Sequence, residues 1–292
     1  MDAARQRSEN LGPEQAMIFR VGISGAPGVG KSTFIENFGL KLCDELGKKL
    51  AVLCVDPSAH TAGGSILGDM ARMMDLSRHP NAYIRQSPTH GALGGVTRGT
   101  HEAVILCEGA GYDLVFIETV GVGQSEVAVA DMVDMFVLLI GPAHGDELQG
   151  VKRGIMELSD LVIVTKGDGA LKSRAKITQA EYMSALKYMH PRSENWKTPV
   201  MRASAFSGEG LDDVWKTMDK YWHIVTQTGE LRLKRDRQLS SWLWQHVREE
   251  LIGAFVRHPN VAKMVEEMER EIRRGTVTPG AAAERMLRAF FK

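Results

Sequence analysis

The stretch "GAPGVGKST" carries the most chemistry per residue in this sequence: Gly25, Ala26, Pro27, Gly28, Val29, Gly30, Lys31, Ser32 and Thr33. It satisfies G-x-x-x-x-G-K-[ST], and it sits between the apolar run "RVGIS" and the helical pattern "FIENFGLKLCDEL", the setting in which that spacing works. Glycines let the backbone curl until successive N–H groups face a β-phosphate. Lys31 then bridges the β- and γ-phosphates, and the Ser32 hydroxyl is placed to ligate Mg²⁺.

Two later stretches address the base. "TKGD", Thr165 to Asp168, follows the apolar run "LVIVT", and "SAFSGEG" begins with Ser204 and Ala205 at the end of another. Both lie where loops at the carboxyl edge of a parallel sheet meet a nucleotide. The Asp168 carboxylate can accept from guanine N1–H and N2–H₂, donors that adenine lacks, while the Lys166 stem stacks on the ring. This favours GTP over ATP. Thr165 stands where many GTPases carry Asn, so any bond it makes to the phosphate loop comes from a hydroxyl.

A third stretch, "ETVGVGQSE", runs from Glu118 to Glu126. Glu118 ends the apolar run "DLVFI" and Gly121 follows, an E-x-x-G arrangement at which a nucleotide switch reaches the Mg²⁺ shell and the γ-phosphate. Ras-type enzymes place a Gln directly after the glycine to orient water. Here Val122 holds that position and Gln124 comes two later, so slow unaided hydrolysis is expected, with Lys31, Glu118 and Gln124 as the candidate catalytic set.

These loops need a scaffold. "FRVGIS", "LAVLCVD", "NAYIRQS", "DLVFIE", "MFVLLI", "LVIVT" and "PVMRAS" are Val-, Ile- and Leu-rich runs without polar alternation, as in parallel strands buried on both faces, and amphipathic stretches separate them. The pattern predicts a doubly wound α/β domain over residues 18–225, after a polar N-terminal tail, 1–17. Beyond it, 226–292 reads as a helical appendage. Leu231, Leu239, Leu243, Val247, Leu251 and Phe255 are close to helical spacing up to Pro259; Val261, Met264, Val265, Met268 and Ile272 form a second stripe; Thr278 and Pro279 open a third helix. Trp242 and Trp244 read as core or subunit interface.

Composition narrows the partners. Over 292 residues Lys+Arg and Asp+Glu are both 36, so no global field argues for nucleic acid or an anionic membrane. The apolar runs fall far short of the roughly 18 residues that span a bilayer, and the polar start is not a secretory signal. Cys43, Cys54 and Cys107 lack C-x-x-C spacing and read as reduced, buried thiols.

Taken together, "GISGAPGVGKSTFIE", "VDPSAHTAGGSILGD", "GALGGVTRGT", "IETVGVGQSEVAVADMVDMF" and "HGDELQGVKRGI" resemble the cobalamin-associated G-proteins, the bacterial MeaB chaperones and the mitochondrial methylmalonic aciduria type A proteins. The similarity runs from about Phe19 to the end, and the mitochondrial branch is the nearer through "SGEG" and "TPG". What the resemblance implies is a P-loop NTPase of the signal-recognition/MinD-like class with a C-terminal helical dimerisation arm. The implied activity is that of a GTPase metallochaperone, cycling GTP and GDP with Mg²⁺. It would gate adenosylcobalamin delivery to methylmalonyl-CoA mutase and protect or reactivate that enzyme, touching the cobalamin only indirectly, through the mutase. The resemblance further implies a homodimer in the mitochondrial matrix, with the leader absent from this chain, or alternatively a bacterial cytoplasmic protein. Asp56 and Asp69 match the acids of the first switch near Mg²⁺, and Glu118 that of the second. Gly141 to Lys152 matches a third segment coupling nucleotide state to the mutase, through Asp146, Glu147, Gln149 and Lys152.

Blander readings compete. Asp56 suits a turn, Asp69 a solvated helix, the charges of the third segment a helix N-terminus, and His144 a solvated loop. A P-loop kinase shares the Lys31 loop but has no need of "TKGD". A nickel-insertion GTPase needs a Cys/His cluster, and the nine His and three Cys show no ligand spacing. A nucleotide-gated scaffold would differ by lacking mutase-stimulated hydrolysis.

Overall fold

The computed structural model describes residues 17–56, 73–88, 93–119, 125–142, 153–190 and 192–291. Each apolar run becomes a strand: β1 (Phe19–Gly25), β2 (Leu50–Asp56), β3 (Ala82–Pro88), β4 (Leu114–Thr119), β5 (Met135–Ile140), β6 (Leu161–Val164) and β7 (Val200–Arg202). They form one sheet in the order β3-β2-β4-β1-β5-β6-β7, and every pairing is parallel. Every residue of β1, β4, β5 and β6 is buried, which explains their unbroken hydrophobicity: both faces are covered.

The helices among these strands are α1 (Lys31–Asp44), α2 (Met74–Arg78), α3 (Leu93–Gly109), α4 (Ser125–Ala130), α5 (Arg153–Leu158), α6 (Lys172–Leu186) and α7 (Leu211–Gln227). On one face Phe34, Phe38 and Leu42 of α1 join Val214, Met218 and Val225 of α7 in a core that includes Phe116, stacked on Phe38 at 6.1 Å between ring centroids. Elsewhere Met156, Ala175 and Tyr182 cover Leu138, Val162 and Val164. From β1 the chain crosses β4 to reach β2, and from β4 it later crosses β1 to reach β5. The carboxyl ends of β4, β1 and β5 thereby frame the point at which the winding reverses, where open α/β sheets bind ligands.

Three further helices follow: α8 (Glu230–Arg257), α9 (Pro259–Arg273) and α10 (Pro279–Phe290). The chain divides into two compact units, Met1–Gln238 and Leu239–Lys292. The first unit ends within α8, and the first residues of that helix are bonded to the sheet. Arg235 at the start of α8 clasps the fully buried Asp134 with two bonds, Nε to Oδ1 at 2.9 Å and Nη2 to Oδ2 at 2.7 Å. Lys234 Nζ donates to Asp134 O at 2.6 Å and Gln238 Nε2 to Val133 O at 2.9 Å. A carboxylate with no access to water needs that cation, so the first residues of α8 belong with the sheet.

Within the second unit Val261, Met268 and Ala282 are buried, and Phe255 meets Phe290 at 5.4 Å between centroids. Thr278 caps α10, its hydroxyl accepting from Ala281 N at 3.3 Å with Pro279 in the first turn. The tryptophan pair separates: Trp242 is buried, whereas Trp244 is exposed with Leu239, Leu243, Leu251, Ile252 and Val256. All three cysteines are buried thiols outside any disulfide, and burial pushes Cys43 and Cys107 up to about 11. Among the described residues no helix is long and apolar enough to cross a membrane.

Candidate nucleotide site

The phosphate loop leaves the end of β1 and enters α1. Its tightest constraint lies at Gly25, where an added Cβ would stand 2.4 Å from the Leu139 carbonyl of β5, so a side chain there would push the loop off the sheet. Gly30 sits at φ 101° as the residue before the first helical turn, in left-handed backbone that costs glycine little. The first-turn N–H groups of α1 have no acceptor within the helix and carry its positive dipole end. Lys31 is buried, and its ammonium donates to the carbonyls of Gly25 at 2.8 Å and Ala26 at 3.3 Å, which holds the cation within the loop.

Ser32 and Glu118 come together although 86 residues separate them. The Ser32 hydroxyl donates to Glu118 Oε1 at 3.2 Å, and the Cys54 thiol reaches Glu118 Oε2 at 3.8 Å. Sheet register accounts for this, since Glu118 lies opposite Ile23 on one side and Cys54 on the other. A hydroxyl and a carboxylate meeting at the end of buried strands are hard oxygen donors of the kind Mg²⁺ takes, so the residues present fit that ion. Beneath the loop a second polar pair, Thr119 Oγ1 to Ser24 Oγ at 2.9 Å, is fully buried between β4 and β1.

The base-side loop is fastened to the phosphate loop at two points. Thr165 Oγ1 donates to Val29 O at 2.8 Å and lies 3.1 Å from Ile140 O, a hydroxyl bond to the phosphate loop at the position where many GTPases carry Asn. Lys166 Nζ donates to Gly28 O at 2.9 Å, and its Cε stands 4.0 Å from where a Cβ on Gly30 would be. Lys166 is the one non-glycine residue at positive φ among the described residues, at 53°. That conformation costs roughly 1 kcal/mol or more and persists where surroundings impose it, often at ligand sites.

Asp168 follows, half-buried, ahead of a short 3₁₀ turn at Gly169–Leu171. The "SAFSGEG" loop is tied to it by backbone: Gly167 N donates to Ala203 O at 3.2 Å and Ala203 N to Val164 O at 3.0 Å. Ser204 is buried, with Ala205 beside it, and its hydroxyl accepts from Ser207 N at 3.1 Å. Lys172 at the start of α6 pairs with Glu209 at 2.7 and 3.0 Å, a second clasp between the two base-side loops.

The structure therefore gathers Gly25 to Thr33, Glu118, Lys166, Asp168, Ser204 and Ala205 at one sheet edge. Asp56 ends β2 at the same edge. Asp69, Gly121, Gln124, Asp146, Glu147, Gln149 and Lys152, with Val122 and His144, lie outside the described residues. Sequence reasoning missed Cys54, the Ser24–Thr119 pair and the Lys172–Glu209 clasp. For the first two the register of β2, β1 and β4 is the missing information; Glu209 had a signal in "SGEG", but its partner lies 37 residues away.

The comparisons agree with this geometry. The profile of the family described as methylmalonyl Co-A mutase-associated GTPase MeaB matches residues 2–260. The Caenorhabditis elegans protein named methylmalonic aciduria type A homolog, mitochondrial, is 57% identical over 291 residues, covering 100% of this chain and 73% of its own length. The Escherichia coli GTPase ArgK is 40% identical over 260 residues, 89% of this chain and 78% of that protein. Among solved structures, the crystal structure of an LAO/AO transport system kinase superposes with a TM-score of 0.71 at 32% identity, over 99% of this chain and 86% of the other. With a phosphate loop, an acid on its serine and the "TKGD" loop brought to one sheet edge, the chain belongs to the methylmalonyl-CoA mutase-associated GTPase family, MeaB.

Proposed function

We propose that this protein hydrolyses GTP slowly by itself and faster on methylmalonyl-CoA mutase, using the nucleotide cycle to gate adenosylcobalamin delivery and to protect or reactivate that enzyme. The observation that carries the nucleotide part is the double fastening of "TKGD" to the phosphate loop, Thr165 on Val29 and Lys166 on Gly28. It joins a guanine-reading carboxylate to a triphosphate cradle. The mutase part rests on the family name.

In this reading the N–H groups of residues 25–33 bind the phosphates and Lys31 neutralises developing charge on them. Asp168 reads the base, with the Lys166 stem and the Ser204–Ala205 loop around it. Ser32, Glu118, Asp56 and Asp69 would hold Mg²⁺, which would supply positive charge against the phosphate oxygens. Gly121 senses the γ-phosphate, and Gln124 is the candidate for orienting water. Asp146, Glu147, Gln149 and Lys152 couple the site to the mutase. A stimulation of about 100-fold asks for roughly 2.7 kcal/mol of transition-state stabilisation, within reach of one or two charge-assisted contacts from a rearranged loop.

Phosphate release is measured with the mutase titrated in, for the parent, Gln149→Ala and Lys152→Ala. Stimulation of the parent, weakened in both variants at unchanged GTP affinity, is the expected result. Fast unaided turnover, or full stimulation in both variants, refutes the switch assignment.

The exposed apolar residues of the second unit, Leu239 to Val256 with Trp244, suit a homodimer contact. Light scattering of the chain cut after Gln238, where the first unit ends, should give a monomer and the full chain a dimer. The matrix of the mitochondrion is the proposed compartment, supported by relatives that are named mitochondrial.

A further inference from the structure

Phe206 follows Ser204 and Ala205 directly, and its side chain is 91% exposed, more than any other large hydrophobic among the described residues. A phenylalanine at that exposure on a mobile tip would carry little meaning. This one stands on a tightly bonded loop. Ser204 N donates to Glu209 O at 2.9 Å, Gly208 N to Ser204 O at 2.9 Å, Leu211 N to Gly208 O at 3.2 Å, and Ser207 N to the Ser204 hydroxyl at 3.1 Å. The Lys172–Glu209 pair adds a side-chain tie to the neighbouring loop. The backbone at 206 is thus held in place while the ring stays almost wholly exposed among the described residues.

That loop adjoins the "TKGD" turn through the Gly167–Ala203 bond, and Lys166 on that turn lies along the phosphate loop in a left-handed conformation. A purine bound at Asp168 has two π faces, and a lysine stem covers one. Aromatic rings supply such a cover efficiently, because stacking is insensitive to the hydrogen-bonding pattern of the base and costs few rotamers.

We propose that Phe206 is a nucleotide-contacting residue that stacks on the purine and sets affinity without setting base choice, which stays with Asp168. The proposal rests on the nucleotide reading above. It explains why a ring so exposed is carried on a loop so well tied: its burial partner is the ligand.

Titration calorimetry with GDP, GTP and inorganic pyrophosphate is run on the parent, Phe206→Ala and Phe206→Trp, beside thermal unfolding and tryptophan emission. The alanine variant should bind GDP and GTP about tenfold more weakly, equally for both, the fold-change that one stacked base supplies. Its pyrophosphate affinity and unfolding midpoint should match the parent, since neither the loop bonds nor the core include the ring. The tryptophan variant should keep GDP affinity within about threefold, by the same stacking argument, and its added emission should change with GDP and not with pyrophosphate. A parent that binds pyrophosphate but no GDP or GTP removes the guanine-nucleotide reading and this inference with it. A parent that binds GDP, with the alanine variant within about twofold of it on the affinity scale, removes the inference alone. Loss of mutase binding at unchanged GDP affinity also overturns it, assigning the ring to a partner surface, and a large fall in the unfolding midpoint would assign it to the fold.

Discussion

Replacing Thr165 by Val removes one hydroxyl at nearly constant volume from a residue that is 5% exposed, and it tests whether the base and phosphate halves of the site act as a unit. The hydroxyl has a single proton, shared between Val29 O at 2.8 Å and Ile140 O at 3.1 Å. Ile140 O keeps the Thr165 backbone N–H, at 2.8 Å, so the loss falls on Val29 inside the phosphate loop. A buried acceptor deprived of a donor costs about 1–2 kcal/mol, which is roughly 5- to 30-fold in an equilibrium constant. GDP affinity measured by calorimetry should fall by that factor. Asparagine at 165, whose amide also donates, should stay within about threefold of the parent. GDP affinity within twofold of the parent in Thr165→Val would refute the argument that this bond holds the loop in its binding shape.

Asp168→Asn exchanges one acceptor for a donor and should shift preference from guanine to xanthine nucleotides, weakening GTP by about 2–4 kcal/mol; unchanged GTP and ATP binding would place Asp168 away from the base. Asp134→Asn leaves Arg235 without its buried partner and should cost about 3–5 kcal/mol of folding stability by denaturant titration. The same pair sets an acid limit. Burial pushes the Asp134 carboxyl up, but the Arg235 charge and its hydrogen bonds, with help from Arg20, outweigh this and hold it below its ordinary 3.8. Its contribution is therefore present above that pH and is lost as pH falls through the lower folded-state value, so the parent should lose stability there more steeply than Asp134→Asn. Lys172→Glu and Glu209→Lys should each weaken GDP binding modestly, because the pair is exposed, and the double swap should restore it; failure of the swap, or an effect untouched by 1 M salt, would show that the clasp does not align the base-side loops.

Much of this protein was legible from its sequence because the signals are local. Seven strands follow from apolar runs that only a sheet covered on both faces can bury, and all seven occur. The phosphate loop follows from glycines whose role, curling the backbone ahead of a helix, is decided within nine residues. Thr278 and Pro279 announce the last helix because an N-cap acts on the next three N–H groups. What the tertiary structure decided is everything that depends on strand order and register. Ser32 meets Glu118 across 86 residues, Thr165 meets Val29 across 136 and Lys166 meets Gly28 across 138, and no spacing rule spans such gaps. The end of the first unit was hidden for the same reason. Residues 230–238 are helical whichever unit they join, and what ties them to the sheet is a carboxylate at 134 sealed from water, whose charge the Arg235 guanidinium balances.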